Sequence, residues 1–181
     1  MEFWDAYDRD RIPTGKTLVR GEPIPPGAYH LVVHICLFNT KGELLIQKRQ
    51  PTKEKWPGLW DLTAGGCAMR GENSRTAAER ELFEELGLHL DLQSILPPFT
   101  VNFNTGFDDI YRLEAEVDLQ TLTLQPEEVQ EVRWATWEEV RTLLQAGLFI
   151  PYHPGFLRFL FDMREDPAQQ NASLYSSAQR E

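Results

Sequence analysis

The sequence predicts an α/β domain, and three observations carry that expectation. Tyr29 to Asn39 (YHLVVHICLFN) is rich in β-branched and aromatic residues and reads as a central strand. Lys41-Gly42 marks a turn, after which Glu43 to Arg49 returns as a second strand and makes a hairpin. A glycine-bearing loop then leads into Gly66 to Leu88 (GCAMRGENSRTAAERELFEELGL), where apolar and acidic residues recur at helical spacing.

That last stretch is the most informative. Asn73 or Ser74 is suited to cap a helix and Gly87 to stop it. Leu82 and Leu86 supply an apolar stripe to bury. Glu81, Glu84 and Glu85 fall within roughly a 100° arc of one face, with the small Ala77 beside them. Three glutamates on a helix are ordinarily a solvated acidic face. The alternative is a divalent cation set among them, which would relieve their mutual repulsion.

The full spacing decides between the two. Gly66, Glu72, Arg80, Glu81, Leu82, Glu84, Glu85, Gly87 and Leu88 stand in the pattern that resembles the Nudix box. A chance match at all of these positions is on the order of one in a million or less. The resemblance implies an α/β/α sandwich with a mixed central sheet, the box helix on one side and the C-terminal helices on the other. It also implies hydrolysis of nucleoside diphosphates linked to another moiety. Glu84 and Glu85 would be principal metal ligands and Glu81 a ligand or the group that orients or deprotonates water. The backbone carbonyl of Gly65 would be a further ligand, and Arg80 would pair with Glu72 to hold the loop. Hard oxygen donors favour Mg²⁺, or Mn²⁺.

A wider resemblance runs from Tyr29 to Glu72, through YHLVVHICLFNTKGELLIQKR and KEKWPGLW, and extends to the Trp134 segment. It is similar to the isopentenyl-diphosphate-isomerase-like branch of the same superfamily. That isomerase pattern has a catalytic cysteine where this chain has Gly65 and a metal-binding histidine where it has Cys67; His30 matches one metal histidine. The complete glutamate set favours hydrolysis over isomerisation. A non-catalytic nucleotide sensor is the third reading, and intact glutamates argue against it.

Residues 1–27 read as an appended N-terminal β-hairpin with a proline-rich link, whose aromatic residues either line a pocket or pack onto the core. His30 and His34 share a strand face and read as packed, hydrogen-bonded histidines rather than a metal pair. Lys48, Arg49, Lys53 and Lys55 form a basic cluster in an acidic chain, with Arg49 and Lys53 the candidate phosphate ligands. Past the box helix, Leu88–Leu96 and Phe99–Phe103 read as extended, Asn102 to Phe107 as a loop, and Ile110 to Val117 as a strand. Asp108-Asp109 precede that strand; Asp109 is either a turn aspartate or, by resemblance to the isomerases, an additional metal ligand. Glu127 to Trp134 reads as a strand entry whose acids are surface charge or, by resemblance to some Nudix enzymes, the source of a metal ligand or base. Helices follow at Thr136 or Trp137 to Gln145 and at Phe156 to Met163.

The main domain is expected over 28–165 and a mobile tail over 166–181. A net charge of −10 opposes a broad nucleic-acid-binding face. Neither a signal peptide nor a long apolar run is seen, so the expected compartment is the cytoplasm, with Cys36 and Cys67 as free thiols. The expected partner is a small-molecule diphosphate, with neither a membrane nor a nucleic-acid polymer; a homodimer is left open. Trp4, Trp56, Trp60 and Phe107 are the candidates to stack on a base, or else core.

Overall fold

The computed structural model describes residues 1–163, so the expected tail lies outside the described residues. The N-terminal hairpin is β1 (Phe3–Tyr7) and β2 (Pro13–Val19). The main sheet contains β3 (His30–Phe38), β4 (Leu44–Arg49), β5 (Trp60–Asp61), β6 (Ala64–Cys67), β7 (Phe99–Phe103), β8 (Gly106–Glu114) and β9 (Val129–Ala135). Its path is β5-β4-β3-β8-β7, with β6 added to β3 and β9 added to β4. The β3–β8 ladder is parallel and the others are antiparallel, which makes the sheet mixed as expected.

Alternation along β3 splits the core. Leu31, Val33, Ile35 and Leu37 pack toward helix α1 (Ser74–Leu86), against Ala77, Ala78, Leu82 and Leu86. Cys36 and Phe38 face the other way, toward Val140 of α2 (Trp137–Gln145) and Leu157, Leu160 and Phe161 of α3 (Pro154–Asp162). Full burial of each large aliphatic side chain stabilises by roughly 1.5–3 kcal/mol, so the two faces together hold the sandwich.

The expected β3–β4 hairpin is corrected in one respect: the strands pair only at Phe38–Leu44 and then splay apart. Beyond that point β4 takes β9 and β5 as partners, and β3 takes β6. Thr63 fills the opening. Its hydroxyl donates to the Leu45 carbonyl at 2.6 Å and accepts from Leu37 N at 2.8 Å, joining two backbones that no longer reach each other. The splay lets the glycines of β6 lie against β3, directly in front of α1.

Two further expectations change. Asp108 and Asp109 lie within β8, as does Phe107, because the Asn104-Thr105 turn is tight enough for the strand to begin at Gly106. Leu88–Leu96 forms no ladder and packs as a loop through Leu88, Leu90, Leu92 and Ile95.

The hairpin docks on the main domain at three places. Tyr7 and Tyr29 exchange backbone hydrogen bonds at 2.8 and 2.9 Å; Arg70 N donates to Phe3 O, and Gly71 N to the Asp5 carboxylate. Arg11, at φ 64°, reaches from the hairpin turn to Asp109 at 2.8 Å. Asp109 is 2% exposed and accepts also from Thr100. Removing one partner of a buried ion pair typically costs about 3–5 kcal/mol, and partial exposure of the guanidinium lowers that figure. Arg11→Met is therefore expected to cost roughly 2–3 kcal/mol in urea unfolding, with Arg11→Met/Asp109→Asn recovering most of the loss; full additivity of the two substitutions would refute the coupling.

Candidate active site

Helix α1 presents the acids, and its entry is fixed locally. The Asn73 side chain accepts from Arg75 N and Thr76 N, and Thr76 returns a bond to Asn73 N, a reciprocal cap worth about 1 kcal/mol. Gly87 ends the helix at φ 67°, a conformation that strains a residue with a side chain. Glu81 and Glu85 are buried, while the Glu84 side chain is 43% exposed.

Arg80 is the hub. It grips Glu72 through two bonds at 2.8 and 3.0 Å, donates to the Cys67 carbonyl at 3.0 Å, and reaches Glu81 and Glu84 at 2.9 Å each. Glu72 in turn accepts from Met69 N, which closes the loop onto the helix. Glu85 has no such cation among the described residues. Its carboxylate accepts from Gln47 at 2.8 Å and from Gly65 N at 3.3 Å. Burial, reinforced by the charge of Glu81, pushes the Glu85 carboxyl up to about 8 despite the bond from Gln47. Burial also raises Glu81, with Arg80 opposing.

The two loop glycines have a steric role. A β-carbon at Gly66 would lie 2.2 Å from a carboxylate oxygen of Glu81, and one at Gly65 would lie 2.6 Å from the His34 ring. Behind Gly65 runs a polar chain that sequence reading did not find. His34 Nδ1 meets Asp108 at 2.8 Å and its Nε2 lies 3.4 Å from the Tyr152 hydroxyl, which donates to Asp61 at 2.9 Å. Burial lowers His34, but the charge and hydrogen bond of Asp108 prevail and hold it up to about 9. His30 lies apart, bonded to the Thr105 carbonyl and stacked on Trp4. Gln47 left one usable signal, a polar residue at an inward position of LLIQKR; Tyr152 left none.

The remaining candidates are dispersed. Asp109 belongs to the Arg11 anchor and makes no bond to the glutamates. Arg49 lies 3.3 Å from Asp61 and Lys53 is ion-paired with Glu128. Lys48 faces Glu131 across the β4–β9 ladder. The basic cluster is thus largely answered by the acidic run that follows it. Cys67 is pushed up to about 12, mainly by burial, and stays a thiol at neutral pH.

The donor chemistry fits a hard divalent cation, since oxygen ligands carry excess negative charge in a partly dry setting. As they stand the carboxylates do not close on one point: among the described residues no group of three His, Cys, Asp or Glu side chains is arranged to hold an ion. Arg80 accounts for this, because its guanidinium holds Glu81 and Glu84.

Comparison with known proteins follows the same lines. The family model for the NUDIX domain matches residues 28–157. A Nudix hydrolase of Listeria innocua is 51% identical over 164 residues, 91% of this chain and 96% of that protein. An isopentenyl-diphosphate Delta-isomerase of Cutibacterium acnes is 31% identical over 129 residues, 65% of each chain. A crystal structure from Deinococcus radiodurans superposes with a TM-score of 0.71 at 23% identity, covering 91% of this chain and 100% of that one, and shows the shared fold.

Burial of Glu85 implies a stability cost in metal-free protein. A carboxyl that holds its proton to about 8 when folded, against an ordinary 4.5, favours folding most at low pH, and that benefit is lost as pH rises through about 8. Glu85→Gln keeps the bonds from Gln47 and Gly65 N without the charge. In chelator it is expected to match the parent at pH 4 and to exceed it by a few kcal/mol at pH 9, read from urea unfolding. An equal effect at both pH values would show that Glu85 is not held this way.

Proposed function

The chain belongs to the Nudix family, and on that premise we propose that it hydrolyses the diphosphate of a nucleoside diphosphate linked to another moiety, X–P–P–Y, by Mg²⁺-dependent attack of water on phosphorus. The observation that carries this reading is Glu85, a buried carboxylate served only by neutral donors and set beside Glu81. Such an arrangement burdens folding and becomes favourable when a cation offsets the charge.

On this reading Glu81, Glu84 and Glu85, with the Gly65 carbonyl, hold the ion. When bound, it supplies Lewis acidity to a phosphoryl oxygen and to an attacking water. Glu81 and Glu84 release Arg80 in part, which leaves its bidentate grip on Glu72 to keep the loop closed. Gln47 fixes the Glu85 carboxylate so that its free oxygen is presented outward. Arg49 and Lys53 exchange carboxylate partners for phosphate oxygens as substrate enters. Asp109, held by Arg11 and Thr100, takes no part. The enzyme acts in the cytoplasm on a small molecule, and among the described residues no helix is long and apolar enough to cross a membrane.

The isomerase reading meets a steric objection. It needs a thiol at position 65, where even a β-carbon would lie 2.6 Å from His34 and 2.8 Å from the Val33 carbonyl.

Phosphate release after phosphatase coupling, across a panel of diphosphates with Mg²⁺, Mn²⁺ or chelator, is expected to show chelator-sensitive turnover of one class. Glu84→Gln should lower that turnover on the order of 100-fold or more without lowering Tm, because its side chain is half-exposed. Metal binding without release from any compound would favour the isomerase or sensor readings.

A further inference from the structure

The loop between β4 and β5 is held in an unusual conformation. Trp56 lies at φ 52°, left-handed backbone for a bulky residue that also precedes Pro57. Such a conformation persists only where surrounding bonds impose it. Here Arg49 donates from Nε and Nη2 to the Lys55 carbonyl at 3.3 and 3.2 Å, while Lys53 N and Gly58 N both donate to Gln50 O. Arg49 is itself fixed by Asp61, which Tyr152 holds in turn. The polar chain behind Gly65 therefore extends to the carbonyl immediately before Trp56.

What the loop displays is equally specific. Of the four aromatic residues suited to stacking on a base, Trp4 is buried on His30, Phe107 is buried against Tyr29, and Trp60 is covered by Lys48 and Arg133. Trp56 alone among these four is open, at 48% exposure. Its neighbour Lys55 is exposed and makes no ion pair among the described residues, unlike Arg49 and Lys53. Through Arg49, Asp61, Tyr152 and His34 the loop is bonded to the side chains packed behind Gly65, which ties the tip to the box loop.

We propose that Lys55 and Trp56 form the substrate-recognition tip of this site, the ammonium taking outer phosphate oxygens and the indole stacking on the planar base of a nucleoside diphosphate. The proposal rests on the diphosphate-hydrolase reading for its ligand class. It selects nucleotides over alkyl diphosphates, because a saturated chain offers the indole no π-face. It also selects Lys55 as the cation that need not break an ion pair to bind.

The test uses uncleavable probes with Mg²⁺: the methylene-bridged analogue of adenosine diphosphate, and methylenediphosphonate, which has no base. Trp56→Gly tolerates the left-handed backbone, so Tm should hold or rise. It should weaken calorimetric binding of the nucleotide analogue roughly 5- to 100-fold, leave the diphosphonate within about twofold, and be largely rescued by Trp56→Phe. Lys55→Met should weaken both probes alike. Equal effects of Trp56→Gly on both probes, no effect on either, or no rescue by phenylalanine would overturn the stacking role. Binding that follows this pattern in a protein that cleaves no diphosphate would sink the hydrolase reading and leave the tip standing.

Discussion

The site depends on one guanidinium. Arg80 bridges Glu72, Glu81 and Glu84, offsetting part of their charge, while anchoring the Cys67 carbonyl, so that a loop and a helix turn share one charge centre. Buried carboxylates repel one another and resist desolvation, and without that centre the cluster would not pack. Arg80 sits next to Glu81 and one helical turn before Glu84, which is why a single side chain reaches both. Glu85 lies beyond its reach and, buried without a cation, holds its proton up to about 8.

That geometry needs space that a regular sheet would not provide. The splay of β3 from β4 admits Thr63 and then the glycines of β6, so that box loop and β3 run side by side. Gly66 leaves room for the Glu81 carboxylate and Gly65 for His34. A side chain at Gly66 would displace the Glu81 carboxylate, and one at Gly65 would press on His34 and the Val33 carbonyl of β3. The same opening brings Gln47 of β4 to Glu85. Close packing of small residues thus sets where the acids point.

Charge is organised at longer range as well. The chain carries a net −10, yet its basic cluster is met by Glu131 across the β4–β9 ladder and by Glu128 just before β9. These pairs hold the β4–β5 loop in place and leave Lys55 and Trp56 at its tip. The hairpin is fastened to the main sheet by Trp4 stacked on His30 and Arg11 paired with Asp109.

The sequence by itself determined the local elements and the chemistry of the helix: Asn73 and Gly87 bound it, Leu82 and Leu86 give it a buried stripe, and the spacing of Glu81, Glu84 and Glu85 fixes a common face. Those properties follow from backbone periodicity and capping, which act over a few residues. Only the tertiary structure decided that Asp109 serves the hairpin, that Lys53 is already paired, that Gln47 supports Glu85, and that Tyr152 links His34 to Asp61. Each joins residues far apart in the chain, and their proximity arises from strand pairing and burial rather than from any local pattern. The sequence could propose a base-stacking role for Trp4, Trp56, Trp60 and Phe107 alike; exposure, a property of the packed molecule, distinguishes Trp56.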